Sequence, residues 1–225
     1  QLAGCSLADA RAVVRQAAAL HAPSWRNAAM LGLDWLQPDP GAAAQVRRLY
    51  PQAQAIFRER YRDVLEPEFM QLCEELAEIT AATERRPEKV SLVHGDFRLD
   101  NVLFDIRGGT EPVAVLDWQT LTIGNGLTDI GYFLGCGIGD DLRRAHEREL
   151  LDFYCAEMTA RGVPMTLDAI WDDYVLGALH GVSTAVFSSA FVVRTPRGDV
   201  NFLSMGRGAC ALCHQHGSIA MLKRG

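Results

Sequence analysis

Between residues 90 and 116 the chain changes its hydrophobic period, and that switch limits the fold more than any other feature. Val90-Ser-Leu-Val93, Val102-Leu-Phe104 and Pro112-Val-Ala-Val-Leu116 are short runs rich in β-branched residues. A glycine-bearing turn at 107–110 separates the second from the third, as in a hairpin. On both sides the pattern is helical. Ser6 is placed to cap a first helix, with Asp9 three residues on, where an acid suits the N-terminal dipole. That helix is expected to end near His21, before Pro23. After a loop with Trp25, Trp35, Pro38 and Pro40, helical stretches are expected at 42–65 and 67–83, and, beyond the strands, at 127–136, 140–161, 167–193 and 202–222. The expected class is α+β: a mostly helical domain with a small β insert, which is where the chemistry should lie.

The chain has 225 residues, enough for one large domain or two small ones, and a chain of this size buries about 70% of its unfolded surface without needing disulfides. With 22 Lys+Arg against 28 Asp+Glu the net charge is −6, with no basic run, which argues against a nucleic-acid partner. Asp9, Arg11 and Arg15 interrupt any apolar targeting core in the first twenty residues. The six cysteines therefore read as reduced thiols of a cytoplasmic protein. Residues 174–193 carry no charged side chain over a length that spans a bilayer. However, His180, Ser183, Thr184, Ser188 and Ser189 fall between Leu176, Leu179, Val182, Val186 and Phe187 at helical spacing, so the stretch reads as a core helix and no membrane partner is expected. The sequence carries no sign of an oligomeric state.

The informative stretch is His94-Gly95-Asp96-Phe97-Arg98-Leu99-Asp100-Asn101, followed by Leu116-Asp117-Trp118-Gln119. Asp96 sits in a tight loop after a strand, Asn101 five residues on where the next strand begins, and Asp117 at the end of the third. If the strands share one sheet, the three oxygen-bearing side chains converge. Mg²⁺ takes a few such oxygens beside phosphate and water, and γ-phosphoryl transfer needs that cation and an acceptor for the incoming hydroxyl's proton. Asp96 suits the acceptor role, and Asn101 with Asp117 suits the metal. Gly95 serves a tight backbone geometry.

These residues resemble the catalytic and metal-binding loops of the aminoglycoside phosphotransferase/choline kinase-like family, relatives of the protein kinases. The His-Gly-Asp-x-x-x-x-Asn signature falls on His94, Gly95, Asp96 and Asn101, and the second acid on Asp117. Thr128-Asp129-Ile-Gly-Tyr-Phe-Leu134 looks like the family's Asp-x-x-Tyr-Phe-Leu helix, whose aspartate holds the catalytic loop, and Leu20-His21-Ala22-Pro-Ser-Trp25 like its Leu-His-Ala-x-x-Trp stretch. Phe97-Arg-Leu-Asp100 and Trp118-Gln-Thr look closest to the ecdysteroid-kinase-like and acyl-CoA-dehydrogenase-associated bacterial branch. The resemblance implies the C-terminal lobe of a kinase-like fold over 1–225. It also implies ATP and Mg²⁺ as cofactors, and a small-molecule hydroxyl as substrate. Catalytic roles would fall on Asp96 and Arg98, with Asn101 and Asp117 holding metal and nucleotide. His94, Gly95 and Asp129 would be structural supports. Arg98 reads equally as a charge for the transition state and as a surface ion pair. Trp118 reads first as a core residue, and lining of the substrate side is the alternative for it and for Gln119.

Nothing before His94 alternates like a sheet, no lysine precedes Lys89, and the chain opens on Gln1. The nucleotide-binding lobe is therefore expected to be absent from this chain. Competing readings are a non-catalytic scaffold built on a kinase lobe and, more weakly, a metal-dependent phosphatase. Cys210-Ala-Leu-Cys213-His214 matches a haem-attachment pattern, and His216 adds a possible metal ligand, but on a helix these residues occupy several faces. The glycines at 131, 135, 137 and 139 read as a helix end and turn.

Overall fold

The computed structural model describes residues 1–37, 39–82, 90–106 and 112–224. Helix α1 (Leu7–Ser24) opens on a capping box: Ser6 Oγ accepts the Asp9 N–H at 3.1 Å and Asp9 accepts the Ser6 N–H at 3.0 Å. It continues through Pro23 instead of stopping at His21. Ser24 makes this possible: its hydroxyl lies 2.9 Å from the His21 carbonyl and 3.2 Å from that of Leu20, bonding carbonyls the last turn leaves open. Short helical turns follow at Ala28–Leu31 (α2) and Asp34–Leu36, then α3 (Pro40–Tyr61), capped by Asp39, and α4 (Pro67–Ala82).

The strands are β1 (Ser91–Val93), β2 (Val102–Phe104), β3 (Val113–Val115) and β4 (Thr122–Gly124). They do not share one sheet. β1 pairs antiparallel with β4, and β2 with β3 in the register Val102↔Val115. β4, three residues ending in glycine, was too short to stand out as a run, so the partner of β1 was missed. The expected turn at 107–110 lies outside the described residues.

After β4 come α5 (Leu127–Tyr132), a five-residue π turn (Phe133–Gly137), α6 (Asp140–Ala160), α7 (Leu167–Gly177), α8 (Leu179–Phe191), α9 (Pro196–His216) and α10 (Ser218–Arg224). The expected helix over 167–193 is thus two, because Gly181 N–H bonds the Ala178 carbonyl three residues back and tightens the turn there. Here α5 and α7 cross in backbone contact: a Cβ on Gly131 would lie 2.5 Å from Ala178 N, and one on Gly177 2.5 Å from Leu127 O. Although 167–191 is long and apolar enough to cross a membrane, its Ile170, Val175, Leu179, Val182 and Val186 are buried in the core. The last long helix begins at Pro196, six residues before the expected start, because Thr195 accepts the Gly198 N–H at 3.0 Å. On it, Cys210 and Cys213 face the core while His214 is exposed, so these three do not converge.

His216 instead joins a buried polar cluster. Its Nε2 lies 2.8 Å from Glu147 Oε2, while Tyr174 OH (2.7 Å) and Arg143 Nη1 (3.0 Å) donate to Glu147 Oε1. Burial opposes ionisation of Glu147, but the His216 and Tyr174 hydrogen bonds and the Arg143 guanidinium outweigh it and hold the carboxyl below its usual range. A depressed carboxyl stabilises the fold above its unfolded pKa and loses that contribution as pH falls through the folded value. Glu147→Gln is expected to cost about 2 kcal/mol at neutral pH. Urea midpoints compared from pH 7 downward should show the gap to wild type narrowing in acid, and a gap independent of pH would contradict this account.

Candidate active site

The loop between β1 and β2 is fixed mainly from below. Asp129, fully buried near the start of α5, accepts the backbone N–H groups of His94 (2.7 Å) and Gly95 (2.9 Å). It also meets His21 Nε2 at 3.2 Å. Burial pushes the Tyr154 phenol well above its ordinary pKa, so its OH donates to His21 Nδ1 (2.9 Å) and leaves Nε2–H for Asp129. The Gly126 backbone makes room for this imidazole, since a Cβ there would lie 2.7 Å from Nδ1. α1 is tied to β1 as well, through the Leu92 N–H on Ser24 Oγ at 2.9 Å.

Gly95 turns the loop with φ +83°, and a Cβ there would stand 2.9 Å from the Thr120 carbonyl. His94, buried, accepts the Asp96 N–H on Nδ1 (3.2 Å) and donates from Nε2 to the Leu116 carbonyl (2.9 Å). Both ring nitrogens are engaged in holding the loop to the end of β3. Phe97 and Leu99 are buried beneath it, Phe97 edge-on to Phe133 at 5.9 Å.

The Asp96 carboxylate rests in a bracket of donors. Oδ1 accepts Tyr132 OH (2.9 Å) and Arg98 Nε (2.9 Å), and Oδ2 accepts Asn101 Nδ2 (2.8 Å). An ionised carboxylate offers about four lone-pair positions, so one stays open, on Oδ2. Burial first, and the neighbouring Cys136 and Asp96, raise the Tyr132 phenol well above its ordinary pKa, keeping it a donor. Arg98 also reaches Asp100 Oδ2 at 2.8 Å, so its guanidinium ties two carboxylates of one loop together.

Asn101 Nδ2 also donates to the Asp96 carbonyl at 2.8 Å, so its NH₂ is used twice within the loop. The Leu116 N–H bonds the Asn101 carbonyl at 2.8 Å, extending the β2–β3 ladder and setting Asp117 beside Asn101. Asp117 is exposed and left-handed (φ 61°, ψ 63°), a conformation an aspartate tolerates better than most residues. Among the described residues nothing bonds the Asn101 side-chain oxygen or the Asp117 carboxylate. Two open side-chain oxygens flanking the same end of the β2–β3 pair fit Mg²⁺, which fills its remaining positions with water and phosphate. Among the described residues no three His, Cys, Asp or Glu side chains form a dedicated metal cage. Trp118 is not a core residue: it is 45% exposed, lies edge-on to His94 at 4.9 Å and donates to the Val115 carbonyl at 3.1 Å. Gln119 is exposed.

Thus Asp96, Arg98, Asn101, His94, Gly95 and Asp129 form one connected network, with Asp117 at its edge. Sequence reading gave no role to His21, Tyr132 or His180. The signal for Tyr132 was its place three residues after Asp129, on the same helical face. For His180 it was an imidazole within an apolar helix.

An acid, an amide and a second acid thus stand together on one helix-supported loop and the strand end beside it. A profile of the Phosphotransferase enzyme family (APH) matches residues 4–162, and the chain belongs to that family. Curated relatives match over shorter segments. Acyl-CoA dehydrogenase family member 10 of Mus musculus is 47% identical over 47 residues, 21% of this chain and 4% of the relative. Acyl-CoA dehydrogenase family member 11 of Homo sapiens is 49% identical over 43 residues, 19% and 5% respectively. A probable acyl-CoA dehydrogenase, IBR3, of Arabidopsis thaliana is 32% identical over 66 residues, 29% and 8%. The matches therefore span under a tenth of these relatives' length. A solved structure from Ralstonia eutropha JMP134, assigned as an aminoglycoside phosphotransferase, aligns with a TM-score of 0.47 and 23% identity, covering 94% of this chain and 68% of that one.

Proposed function

We propose that this chain is the catalytic lobe of an ATP- and Mg²⁺-dependent kinase that phosphorylates a hydroxyl of a small molecule. The observation that carries this reading is the single open lone pair on Asp96 Oδ2. It lies on a carboxylate whose other positions are filled by Tyr132, Arg98 and Asn101. A hydroxyl donating into that position is oriented for in-line attack and hands its proton to Asp96 as the new O–P bond forms and the bond from the γ-phosphorus to the bridging oxygen of ADP breaks, with ADP as the leaving group. Arg98 and Tyr132 keep the carboxylate aimed. Asn101 and Asp117 are the residues that would hold Mg²⁺, which when bound neutralises charge on the nucleotide's phosphate oxygens. His94 and Asp129 hold the loop and do not touch substrate.

The reading is tested by thermal denaturation with nucleotide. At about 100 times its Kd, a ligand of the folded state adds roughly 2.7 kcal/mol, so Mg·ATP should raise the melting temperature of the full-length protein. In Asp117→Ala the Mg²⁺-dependent part of that rise should vanish. A melting temperature unmoved by Mg·ATP, with no γ-phosphoryl transfer to water or to sugar, polyol and amino-alcohol acceptors, would overturn it.

A further inference from the structure

The Gly95 carbonyl, two bonds from the Asp96 nitrogen, points at α8. His180, at the start of that helix, meets it with Nε2 at 2.6 Å. A carbonyl only accepts, so Nε2 carries the hydrogen. The same imidazole stands edge-on to the Tyr132 ring, with centroids 5.2 Å apart and planes at 88°, and Tyr132 holds Asp96 Oδ1. One side chain thus touches both supports of the carboxylate: the peptide before it and the phenol beneath it. The N–H side of this peptide bonds His94 Nδ1 at 3.2 Å, and the preceding peptide is held by other elements, with Asp129 on the Gly95 N–H and Thr120 Oγ1 on the His94 carbonyl at 2.7 Å. The left-handed turn at Gly95 aims its carbonyl away from both. Without a donor on α8, that carbonyl has no protein partner among the described residues, and the Gly95–Asp96 peptide plane is held on its N–H side alone, by His94 Nδ1.

We infer that His180 is a positioning residue for Asp96, acting through the Gly95 carbonyl to fix the direction of the open Oδ2 lone pair. The inference rests on the phosphotransferase reading above and adds α8 to the supports of the catalytic loop, beside α5, the end of β3 and Thr120. Its hydrogen-bond donor carries the effect, while the ring contact with Tyr132 is secondary.

Two variants separate donor from ring. His180→Phe keeps an aromatic ring against Tyr132 and loses the donor, whereas His180→Gln loses the ring and keeps an N–H near the position of Nε2. With Mg·ATP and water as the probe reaction in the full-length protein, His180→Phe is expected to lower kcat about 10- to 100-fold with KM for ATP unchanged. His180→Gln should retain most of the activity. Amide hydrogen exchange at Gly95 and Asp96 gives a readout independent of turnover: faster in His180→Phe, near wild type in His180→Gln. Equal kcat in both variants, or a loss in His180→Phe matched by a rise in KM, overturns the inference. If wild type neither hydrolyses nor binds Mg·ATP, the phosphotransferase reading falls, and exchange at the two amides alone decides whether His180 positions the loop.

Discussion

Replacing Asp96 with Ala in the full-length protein should lower kcat by ~10²–10⁴, the range a general base contributes, with KM for ATP nearly unchanged. Of its partners Tyr132, Arg98 and Asn101, only Asn101 belongs to the Mg·ATP side, and its Nδ2 keeps its second bond, to the residue-96 carbonyl, in the variant. The loss should therefore fall on the chemical step. A modest loss of stability, about 1–3 kcal/mol, should accompany it, because the buried Tyr132 hydroxyl loses its acceptor, whereas Arg98 keeps Asp100 and Asn101 keeps the residue-96 carbonyl. Asp96→Asn is the less informative variant. Its amide sets an NH₂ against Asn101 Nδ2, and relieving that clash turns Asn101 and withdraws the oxygen assigned to Mg²⁺. Steady-state kinetics on both variants distinguish the roles: Ala removes the base alone, and Asn should also weaken the Mg²⁺ dependence. Turnover within a few-fold of wild type in Asp96→Ala would remove Asp96 from the mechanism.

Most of this network was legible because its members lie close in sequence. His94, Gly95, Asp96, Arg98 and Asn101 fall within eight residues, and their spacing alone brings them to one loop. Asp117 was reached by a premise the structure corrects. Its place beside Asn101 comes from the β2–β3 ladder alone, while β1 belongs to a separate pair. The contributions of His21 and His180 were not legible, since contact with residues 108 and 85 positions away depends on how helices pack. Helix ends failed for a local reason. Propensity places a stop at Pro23 and a single run over 167–193, whereas Ser24 Oγ and the tightened turn at Ala178 supply hydrogen bonds that a residue-type pattern does not show.

The largest effect on the fold itself is expected at Asp129. It is fully buried and accepts three hydrogen bonds, from two consecutive backbone N–H groups and from His21. Asp129→Ala leaves those donors facing a void in the protein interior, at a cost of about 3–5 kcal/mol. Asp129→Asn should cost less, because its oxygen can keep the His94 N–H and His21. Its NH₂, however, then opposes the Gly95 N–H, and the loop must turn at that peptide. The two variants thus separate stability from catalysis. By denaturant titration Ala should fall well below Asn, whereas in turnover Asn should already be impaired, because Gly95 precedes Asp96 and its carbonyl is the one His180 holds. A network that served stability alone would give activity in Asp129→Asn proportional to the fraction folded. The arrangement of donors predicts a loss of kcat in a protein that is still folded.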